Sequence, residues 1–406
     1  MVENLPAVPD DLHNSNNGLP SSNSDTSLPY SSIVNLDRGD TVLLESYWRK
    51  MRKESIVEIE GWEFLSYASD LKSVCWFMMP ELRDAIKKLH ALVGNAETDD
   101  RQIVLGNGST QLFQAALFAL SASSDGPVNV VAAAPYYSGY PDETDLVRSS
   151  LYKWSGDAKD YEKQEAYIEI VTSPNNPDGS IRGPVVMSNK CDGEGKLIHD
   201  LAYYWPHYTP ITYQANHDLM LFTFSKCTGH SGSRIGWAIV KDIDIAKKMT
   251  TFIVLNSIGV SKESQARAAK IMGVVCNSYQ SFKFDGSNNN KESQLFFEFN
   301  RHLLKERWEK LREVVKQSDR FLLPRFQKTY CNFTNESFET YPAFAWLMSK
   351  DEEDCGSYLE KKLRVVARSG NRFGSDPKYV RINMLTTGDD FDEFLERLSN
   401  IKDITF

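Results

Sequence analysis

The chain has 406 residues, of which 41% are hydrophobic and 25% charged, a globular composition that excludes a collagen-like or wholly disordered protein. Acidic residues outnumber basic ones by 55 to 46, and the net charge of -9 argues against nucleic-acid and anionic-membrane partners. At about 150 residues per domain, the length predicts two or three domains with enough core to fold without disulfide bonds or a structural metal.

Residues 1–35 are predicted to form a disordered tail. This stretch has no Lys or Arg and is rich in Ser, Asn, Pro and Asp, so it can bury too little apolar surface to offset the entropy of ordering. A secretory signal would need a basic start and an apolar stretch, and a transit peptide would need Arg. No run of about 18 apolar residues occurs anywhere in the chain, so no membrane-spanning helix is expected.

The cysteines indicate a reducing compartment. None of the six belongs to a C-x-x-C pair, which argues against a disulfide framework and against a zinc site. They are Cys75, Cys191, Cys227, Cys276, Cys331 and Cys355. Together with the missing export signals, they lead us to expect a cytoplasmic protein with free thiols and no bound metal.

Strands and helices alternate over residues 36–318. The predicted strands are Ile103–Leu105, Val128–Ala134, Tyr167–Thr172, Lys196–His199, Leu219–Phe224 and Ile235–Val240. The predicted helices are Thr41–Met51, Pro80–Val93, Gln111–Ala122, Ile243–Leu255, Ser261–Cys276 and Leu295–Lys316, with a polar loop over residues 277–294. Short apolar runs that do not alternate are typical of strands covered on both faces. The pattern predicts a large α/β domain with a doubly covered, mixed or mostly parallel sheet.

Residues 319–406 change character and predict a smaller α+β domain. Three strands are predicted, at Ala343–Ser349, Val365–Arg368 and Val380–Leu385, with helices near Tyr358 and over Phe391–Ile401. We expect a segment near the start of residues 36–318 to join this domain.

Two loops follow predicted strands and could contact a ligand. Gly106–Thr110 lies between a strand and a helix, where backbone N–H groups and the hydroxyls of Ser109 and Thr110 can bind an anion. It lacks the Lys of a Walker motif and the third glycine of a dinucleotide motif, so a plain turn remains an alternative. Ser173–Gly179 reads S-P-N-N-P-D-G, in which Asn176 can donate to a bound oxygen, although Pro-Asp-Gly is also ordinary turn chemistry.

Three ionisable residues stand at the ends of further apolar runs. Asp200 must either cap the next element or face a cation, because burying an unpaired carboxylate is costly, and Tyr203 follows on the same side of a helical turn. Lys226 comes directly after a buried strand, where its amine would have a lowered pKa and act as a nucleophile. Arg234, eight residues later, suits a phosphate. A solvated lysine beside a flexible loop is the alternative.

Together these groups describe a pyridoxal-phosphate site. One chain contains an amine, a carboxylate for a ring nitrogen, an amide and a phenol for a ring oxygen, and a set of groups that can bind a phosphate. Their order and spacing resemble fold-type-I aminotransferases: S-P-N-N-P-D-G is similar to N-P-x-N-P-T-G, and the segment from Ser225 to Gly236 is similar to S-K-x-x-x-x-x-G-x-R-x-G.

Longer motifs resemble the alliinase family. They include N-L-D-R-G-D, S-Y-A-S-D, A-A-A-P-Y-Y-S-G-Y, H-D-L-A-Y-Y-W-P-H-Y-T-P-I-T and F-T-F-S-K-C-T-G-H-S-G-S-R-I-G-W-A. Within that family the resemblance is closest to the plant tryptophan aminotransferases of auxin biosynthesis, because the secretion signal and Cys-rich module of the alliinases are missing. The segment Gly39-Asp40-Thr41 departs from the family's usual Gly-Asp-Pro-Thr, close to the expected substrate site.

The resemblance implies a role for each matching residue. Lys226 would be catalytic and carry the cofactor, and Arg381 would bind the substrate carboxylate. The implied cofactor-binding residues are Tyr67, Ser109, Thr110, Tyr137, Asn176, Asp200, Tyr203, Ser225, Lys226 and Arg234. Tyr137 would stack on the cofactor, with Tyr136 as its competitor, and Tyr67 would reach the phosphate of a neighbouring subunit, which implies a homodimer.

The implied reaction is transfer of the amino group of L-tryptophan to a keto acid, pyruvate by resemblance, to give indole-3-pyruvate. An alliinase-type C–S lyase, which acts on cysteine sulfoxides with the same residues, is the nearest alternative. A non-catalytic binding protein on the same scaffold is a second one, although Lys226, Asp200 and Arg234 are all present. A nucleotide-binding protein would use Gly106–Thr110 but lacks the Lys on that loop.

Overall fold

The computed structural model describes residues 30–124, 126–162, 165–186, 195–285 and 295–403. Most of the predicted tail therefore lies outside the described residues. The helices are α1 Glu45–Lys50, α2 Pro80–Val93, α3 Gly108–Ser121, α4 Gly139–Asp145, α5 Phe224–Cys227, α6 Ile243–Ser257, α7 Lys262–Asp285, α8 Phe296–Ser318, α9 Cys355–Leu363 and α10 Gly388–Ser399. Within the described ranges no helix has the length and apolar character needed to cross a bilayer.

The strands form two principal sheets. They are β1 Val34–Asn35, β2 Gln102–Asn107, β3 Val128–Ala132, β4 Tyr152–Asp157, β5 Tyr167–Thr172, β6 Gly195–Asp200, β7 Leu219–Thr223, β8 Ile235–Val240, β9 Phe321–Leu322, β10 Thr329–Cys331, β11 Glu336–Phe338, β12 Phe344–Ser349, β13 Val365–Val366, β14 Arg368–Ser369 and β15 Tyr379–Asn383.

The larger sheet has seven strands in the order β2-β8-β7-β6-β5-β3-β4. The strands β4, β3, β5, β6 and β7 run parallel, whereas β8 is antiparallel to both of its neighbours. Every residue of β3, β5, β7 and β8 is buried, because helices and loops cover both faces. This mixed α/β sheet confirms the predicted fold class.

The helices beside this sheet follow from local sequence. The helix α2 begins at Pro80, whose fixed φ suits the first turn, and ends at Gly94, which adopts φ +70°. Its buried face carries Leu82, Ile86 and Leu89, spaced as a helix requires. The helix α2 packs against α7, and α3 packs against α6, so amphipathic helices shield the sheet.

The smaller sheet has four antiparallel strands in the order β14-β15-β12-β9. Close to it, β1 pairs in parallel with β13, and Val34 and Leu36 are fully buried. The disordered tail predicted over residues 1–35 is therefore wrong at its last two residues. Val34–Asn35 forms a strand, and the side chains of Val34 and Leu36 pack in the core. The N-terminal segment thus lies beside elements from the last part of the chain.

The predicted loop over residues 277–294 is wrong in its first part, since α7 continues to Asp285. Tyr279 is buried in that extension and its hydroxyl accepts the backbone N–H of Phe297, which stabilises two further turns of helix. The remainder, residues 286–294, lies outside the described residues. Periodicity also missed β4 and α4, because both are short and β4 is only partly buried.

Candidate active site

A cavity of about 340 Å³ lies at the carboxyl ends of β5, β6 and β7, where ligands bind in open α/β sheets. The structure brings ten of the eleven predicted site residues together there. They are Ser109, Thr110, Tyr137, Asn176, Asp200, Tyr203, Ser225, Lys226, Arg234 and Arg381. The eleventh, Tyr67, lies outside this cavity, with 69% of its surface exposed.

One end of the cavity is suited to an anion. The helix α3 begins at Gly108, so the backbone N–H groups of its first turn and the hydroxyls of Ser109 and Thr110 face the cavity. A Cβ at Gly108, whose φ is +77°, would collide with the guanidinium of Arg234. A Cβ at Gly236 would lie 2.6 Å from the carbonyl carbon of Gly108. The two glycines therefore let Arg234 lie over the helix start, where it complements a phosphate.

Arg234 itself has an unusual backbone. Its φ of +51° is in the left-handed region, and its Nη1 donates to the carbonyl oxygen of Ser231 at 3.1 Å. A non-glycine residue in this conformation is uncommon and occurs most often where function requires it. The guanidinium lies between the loop that follows Lys226 and the start of α3.

Lys226 lies on the one-turn helix α5, directly after the buried strand β7. Its Nζ donates to the carbonyl oxygen of Gly39 at 2.5 Å. Burial, together with the nearby positive charge of Arg381, lowers the pKa of Lys226 to about 8. A lysine with this pKa has a substantial neutral fraction near neutral pH, which makes its amine nucleophilic.

Two hydrogen bonds fix the backbone carbonyl group of Lys226. Its carbonyl oxygen accepts hydrogen bonds from Nε2 of His207 at 3.2 Å and from the hydroxyl of Tyr208 at 3.1 Å. Burial lowers the pKa of His207 to about 3, so this imidazole is neutral. His207 therefore acts as a fixed neutral donor to the backbone of Lys226.

Asp200 ends β6 and is partly buried in the cavity. Its Oδ2 accepts the hydroxyl of Tyr140 at 2.7 Å, and its Oδ1 accepts the backbone N–H of Ala202 at 3.0 Å. Because the Tyr140 proton goes to Asp200, the hydroxyl of Thr172, also at 2.7 Å, must donate to Tyr140. Burial raises the pKa of Asp200 despite these bonds, so a cationic partner would stabilise its ionised form.

Tyr140 and Thr172 were not predicted to be site residues. Tyr140 was visible as the last residue of P-Y-Y-S-G-Y, and Thr172 as the last residue of a buried strand. Nothing in their spacing indicated that Thr172, Tyr140 and Asp200 form one chain of hydrogen bonds, because α4 was not predicted. Glu143 on the same helix also lines the cavity, and burial beside Asp200 raises its pKa to about 8.

Arg381 comes to the cavity from β15 of the smaller sheet. Its Nη1 donates to Oδ1 of Asn176 at 3.3 Å and its Nη2 donates to the carbonyl oxygen of Asp37 at 2.7 Å. The guanidinium lies 4.1 Å from the ring centre of Phe344, and its Nε has no hydrogen-bond partner among the described residues. Burial lowers the pKa of Arg381 to about 10, which leaves it cationic at neutral pH. It can therefore bind a carboxylate.

The aromatic residues separate into two groups. Tyr137 lines the cavity and makes an edge contact with Tyr140, with 5.2 Å between ring centres. Tyr136 instead packs against Trp154 at 5.0 Å and does not line the cavity. The ring centre of Tyr203 lies 5.9 Å from Nζ of Lys226, and burial raises the pKa of the Tyr203 hydroxyl above its usual value. Tyr137 is thus the better placed of the two competing tyrosines to stack on a ring.

The described residues contain no group of three or more His, Cys, Asp or Glu side chains arranged as metal ligands. The chemistry available in the cavity is that of an amine, two carboxyls, phenols and three guanidinium groups. This set can bind a ligand that carries a phosphate, an aromatic ring and a carbonyl carbon within reach of Lys226.

The chain is similar to known proteins over almost all of the described residues. A family model described as allinase matches residues 34–402. The chain is 50% identical over 372 residues to tryptophan aminotransferase-related protein 2 of Arabidopsis thaliana, covering 91% of this chain and 81% of the relative. It is 39% identical over 367 residues to alliin lyase of Allium cepa var. aggregatum, covering 88% and 79%.

Among solved structures, aspartate aminotransferase from Thermotoga maritima superimposes with a TM-score of 0.61 at 16% identity, covering 92% of each chain. At that identity the likeness concerns the fold, which is that of the fold-type-I aminotransferases.

Proposed function

The chain belongs to the alliinase family, and from that premise we propose that it is a pyridoxal-phosphate-dependent aminotransferase. The proposed donor is L-tryptophan, the proposed acceptor is a keto acid, with pyruvate first among them, and the product is indole-3-pyruvate, a step of auxin biosynthesis. One observation carries the proposal. Nζ of the low-pKa Lys226 shares a cavity with a helix-start anion cradle at Arg234, the partly buried carboxylate of Asp200 and the buried guanidinium of Arg381.

The residues fit this cofactor on two structural grounds. The glycines at 108 and 236 leave room for a guanidinium over the start of α3, which is the cradle a phosphate ester requires. Asp200 is partly buried, and the hydrogen bonds to its carboxylate come from a hydroxyl and a backbone N–H. A protonated ring nitrogen would supply the positive charge that this carboxylate needs.

Each residue then has a defined task. When bound, pyridoxal phosphate supplies a ring that accepts electron density from the substrate Cα. Ser109, Thr110, Ser225 and Arg234 would hold its phosphate, Asp200 would keep a proton on its ring nitrogen, and Asn176 and Tyr203 would donate to its ring oxygen. Tyr137 would stack on the ring. All of these residues line the cavity.

Lys226 and Arg381 would handle the substrate. The neutral amine of Lys226 would hold the cofactor covalently and, once displaced by the incoming amine, would take the proton from the substrate Cα as a general base. Arg381 would fix the substrate carboxylate with two parallel hydrogen bonds. Fixing the carboxylate fixes the Cα–H bond relative to the ring, which favours loss of the proton over loss of carbon dioxide.

We also propose a homodimer in which Tyr67 contacts the phosphate bound by the partner subunit. The segment around Tyr67 exposes several large apolar side chains in sequence, which a monomer would leave in water. They are Ile56, Ile59, Trp62, Leu65 and Leu71. The proposed location is the cytoplasm, which agrees with the buried free thiols of Cys75, Cys227, Cys276, Cys331 and Cys355.

The second candidate is a C–S lyase, which the 39% identity to an alliin lyase favours. The two activities use the same residues and diverge after the Cα proton is lost. The test is to supply the purified protein and cofactor with tryptophan plus pyruvate and, separately, with alliin. Indole-3-pyruvate with alanine in the first mixture supports the aminotransferase, whereas pyruvate with ammonia in the second mixture alone supports the lyase. Turnover in neither would favour a binding protein.

A further inference from the structure

A second carboxyl group lines the active-site cavity, and the proposed reaction does not use it. It belongs to Glu143 on α4, three residues after Tyr140 and therefore on the same face of that helix. Tyr140 donates to Asp200, whereas Glu143 accepts no hydrogen bond and forms no ion pair within the described part of the chain. A partly buried carboxyl group without a partner is costly when it is ionised, so it favours either a proton or a ligand.

Two neighbours show where this carboxyl group lies. A Cβ at Gly139 would be 2.9 Å from Oε1 of Glu143 and 2.6 Å from a ring carbon of Tyr137, so both atoms lie on the same side of Gly139. The helix α4 packs against α3, and Thr110 and Phe113 of α3 line the cavity together with Glu143. The carboxyl group is therefore close to the ring that would stack on the cofactor and to the helix whose start forms the anion cradle.

The charged groups that act on Glu143 come from three elements. Asp200 faces it from the end of β6, Asp142 precedes it on α4, and Arg234 faces it from the loop before β8. Burial and the two aspartates raise the pKa of Glu143 to about 8, against the smaller opposing effect of Arg234. Glu143 is thus mainly protonated at neutral pH. Three further cations line the same cavity, namely Lys226, Arg368 and Arg381.

The proton on Glu143 decides how much positive charge the cradle offers. While Glu143 is neutral, the guanidinium of Arg234 and the N–H groups at the start of α3 have no carboxylate of Glu143 to offset them, so they can act fully on a phosphate. An ionised Glu143 would offset part of that charge and would repel the phosphate. In a partly enclosed cavity such repulsion is stronger than in water.

We propose that Glu143 keeps its proton while the phosphate of the cofactor is bound, and that loss of this proton weakens cofactor binding. Glu143 would thereby set an upper pH limit for retention of the cofactor. This inference rests on the proposed function and deepens it, because it adds a residue to the proposed phosphate site that neither its spacing nor the family resemblance indicated.

The direction of the pH effect follows from proton linkage. A bound phosphate makes the proton on Glu143 harder to remove, so the pKa of Glu143 is higher in the complex than the value of about 8 in the free protein. The contribution of Glu143 to affinity is therefore complete below pH 8 and is lost as the pH rises above it. A free-protein pKa of about 8 allows a loss of about tenfold between pH 7 and pH 9.

The test measures the Kd of pyridoxamine 5′-phosphate by calorimetry at pH 7 and pH 9, with the cofactor-free protein. This amine form of the cofactor has the ring and the phosphate but no aldehyde, so it forms no covalent bond with Lys226. Glu143→Gln has the shape of the protonated carboxyl and does not titrate. We expect the wild-type Kd divided by the Glu143→Gln Kd to be near one at pH 7 and about ten at pH 9. The ratio cancels the titration of Lys226 and of the ligand.

Two controls isolate the position and the phosphate. Asp142→Asn removes a carboxylate from the neighbouring position, but Asp142 does not line the cavity and forms an ion pair with Arg372 at 2.9 Å. Its Kd should rise with pH as that of wild type does. Pyridoxamine lacks the phosphate, so its ratio of wild-type to Glu143→Gln Kd should be the same at both pH values.

Three results would overturn the proposal. The first is a ratio for pyridoxamine 5′-phosphate that does not change with pH. The second is weaker binding by Glu143→Gln than by wild type at pH 9, which would make Glu143 an ionised partner of Arg234. The third is an equal pH-dependent change with pyridoxamine, which would assign the effect to the ring.

Failure of the proposed function gives a different result. Wild-type protein would then either not bind pyridoxamine 5′-phosphate at pH 7, or bind it and form no alanine when pyruvate is added. In the second case the role of Glu143 in binding the phosphate would still be decided by the ratio of the two Kd values.

Discussion

The two sides of the active-site cavity are built in different ways. One side, which we call the sheet side, consists of short loops that each begin where a strand of the seven-stranded sheet ends. It carries Ser109, Asp200, Lys226 and Arg234. Each of these residues is within a few positions of a buried strand, so the fold fixes its place through adjacent backbone.

The other side, which we call the assembled side, comes from segments far apart in the chain. Gly39 arrives from the N-terminal segment, Phe344 from β12 and Arg381 from β15. Long-range contacts join them: Arg381 donates to the carbonyl oxygen of Asp37, and Arg368 forms an ion pair with the carboxylate of Asp37 at 2.6 Å. The difference suggests that the sheet side governs the cofactor and its chemistry, whereas the assembled side governs the substrate.

The largest effect should come from the sheet side. Lys226→Ala removes the amine that holds the cofactor and moves the Cα proton, so kcat should fall by at least about 10³-fold. The visible absorbance of the lysine-bound cofactor should disappear as well. Spectra and turnover of the purified variant check both, and a variant that kept them would remove Lys226 from its proposed role.

The strongest effect on the assembled side should follow Arg381→Lys. Lysine keeps the charge but cannot make two parallel hydrogen bonds to a carboxylate. We expect kcat/KM to fall about 10²-fold through poorer orientation of the substrate, while the affinity for the cofactor stays near that of wild type. Steady-state kinetics and cofactor titration separate the two quantities. Equal losses in both would contradict the division between the two sides.

The pH dependence of cofactor loading tests the environment of Lys226. Only the neutral amine attacks an aldehyde, and a pKa of about 8 leaves roughly a tenth of it neutral at pH 7. The rate of reconstitution of the apoenzyme should therefore rise roughly tenfold from pH 7 to pH 9 and then level off. Stopped-flow absorbance measures it. A rate that continued to rise to pH 10 would mean that Lys226 has an ordinary lysine pKa.

A smaller effect should come from Tyr140→Phe. The change removes the hydroxyl that donates to Asp200 and leaves the hydroxyl of Thr172 without its acceptor. We expect the cofactor Kd to rise by about tenfold or less, because one hydrogen bond to a charged carboxylate is lost. Thr172→Ser, which keeps the hydroxyl, serves as the matched control and should bind the cofactor as wild type does. A wild-type Kd in Tyr140→Phe would show that this chain of hydrogen bonds does not support Asp200.

The same comparison explains what the sequence could and could not predict. Lys226 and Asp200 could be identified because each follows a short apolar run, Arg234 because it precedes one, and strand ends converge at one edge of the sheet. Helix bounds such as Pro80–Val93 were equally readable, since a proline and a glycine mark the two ends. Local chemistry was sufficient for these features.

Features that depend on distant segments were not predictable in this way. The chain from Thr172 through Tyr140 to Asp200 joins three separate elements, and the ion pair between Asp37 and Arg368 spans most of the sequence. Arg381 was identified only through a family resemblance, because nothing in its local sequence indicates a substrate site.

The most direct test of the account follows the amino group itself. Tryptophan labelled with ¹⁵N in its amino group is incubated with the loaded enzyme and unlabelled pyruvate, and the products are identified by mass spectrometry. The account predicts ¹⁵N-alanine and indole-3-pyruvate in equal amounts. Release of the label as ammonium, or its retention in tryptophan while alliin is cleaved, would contradict it.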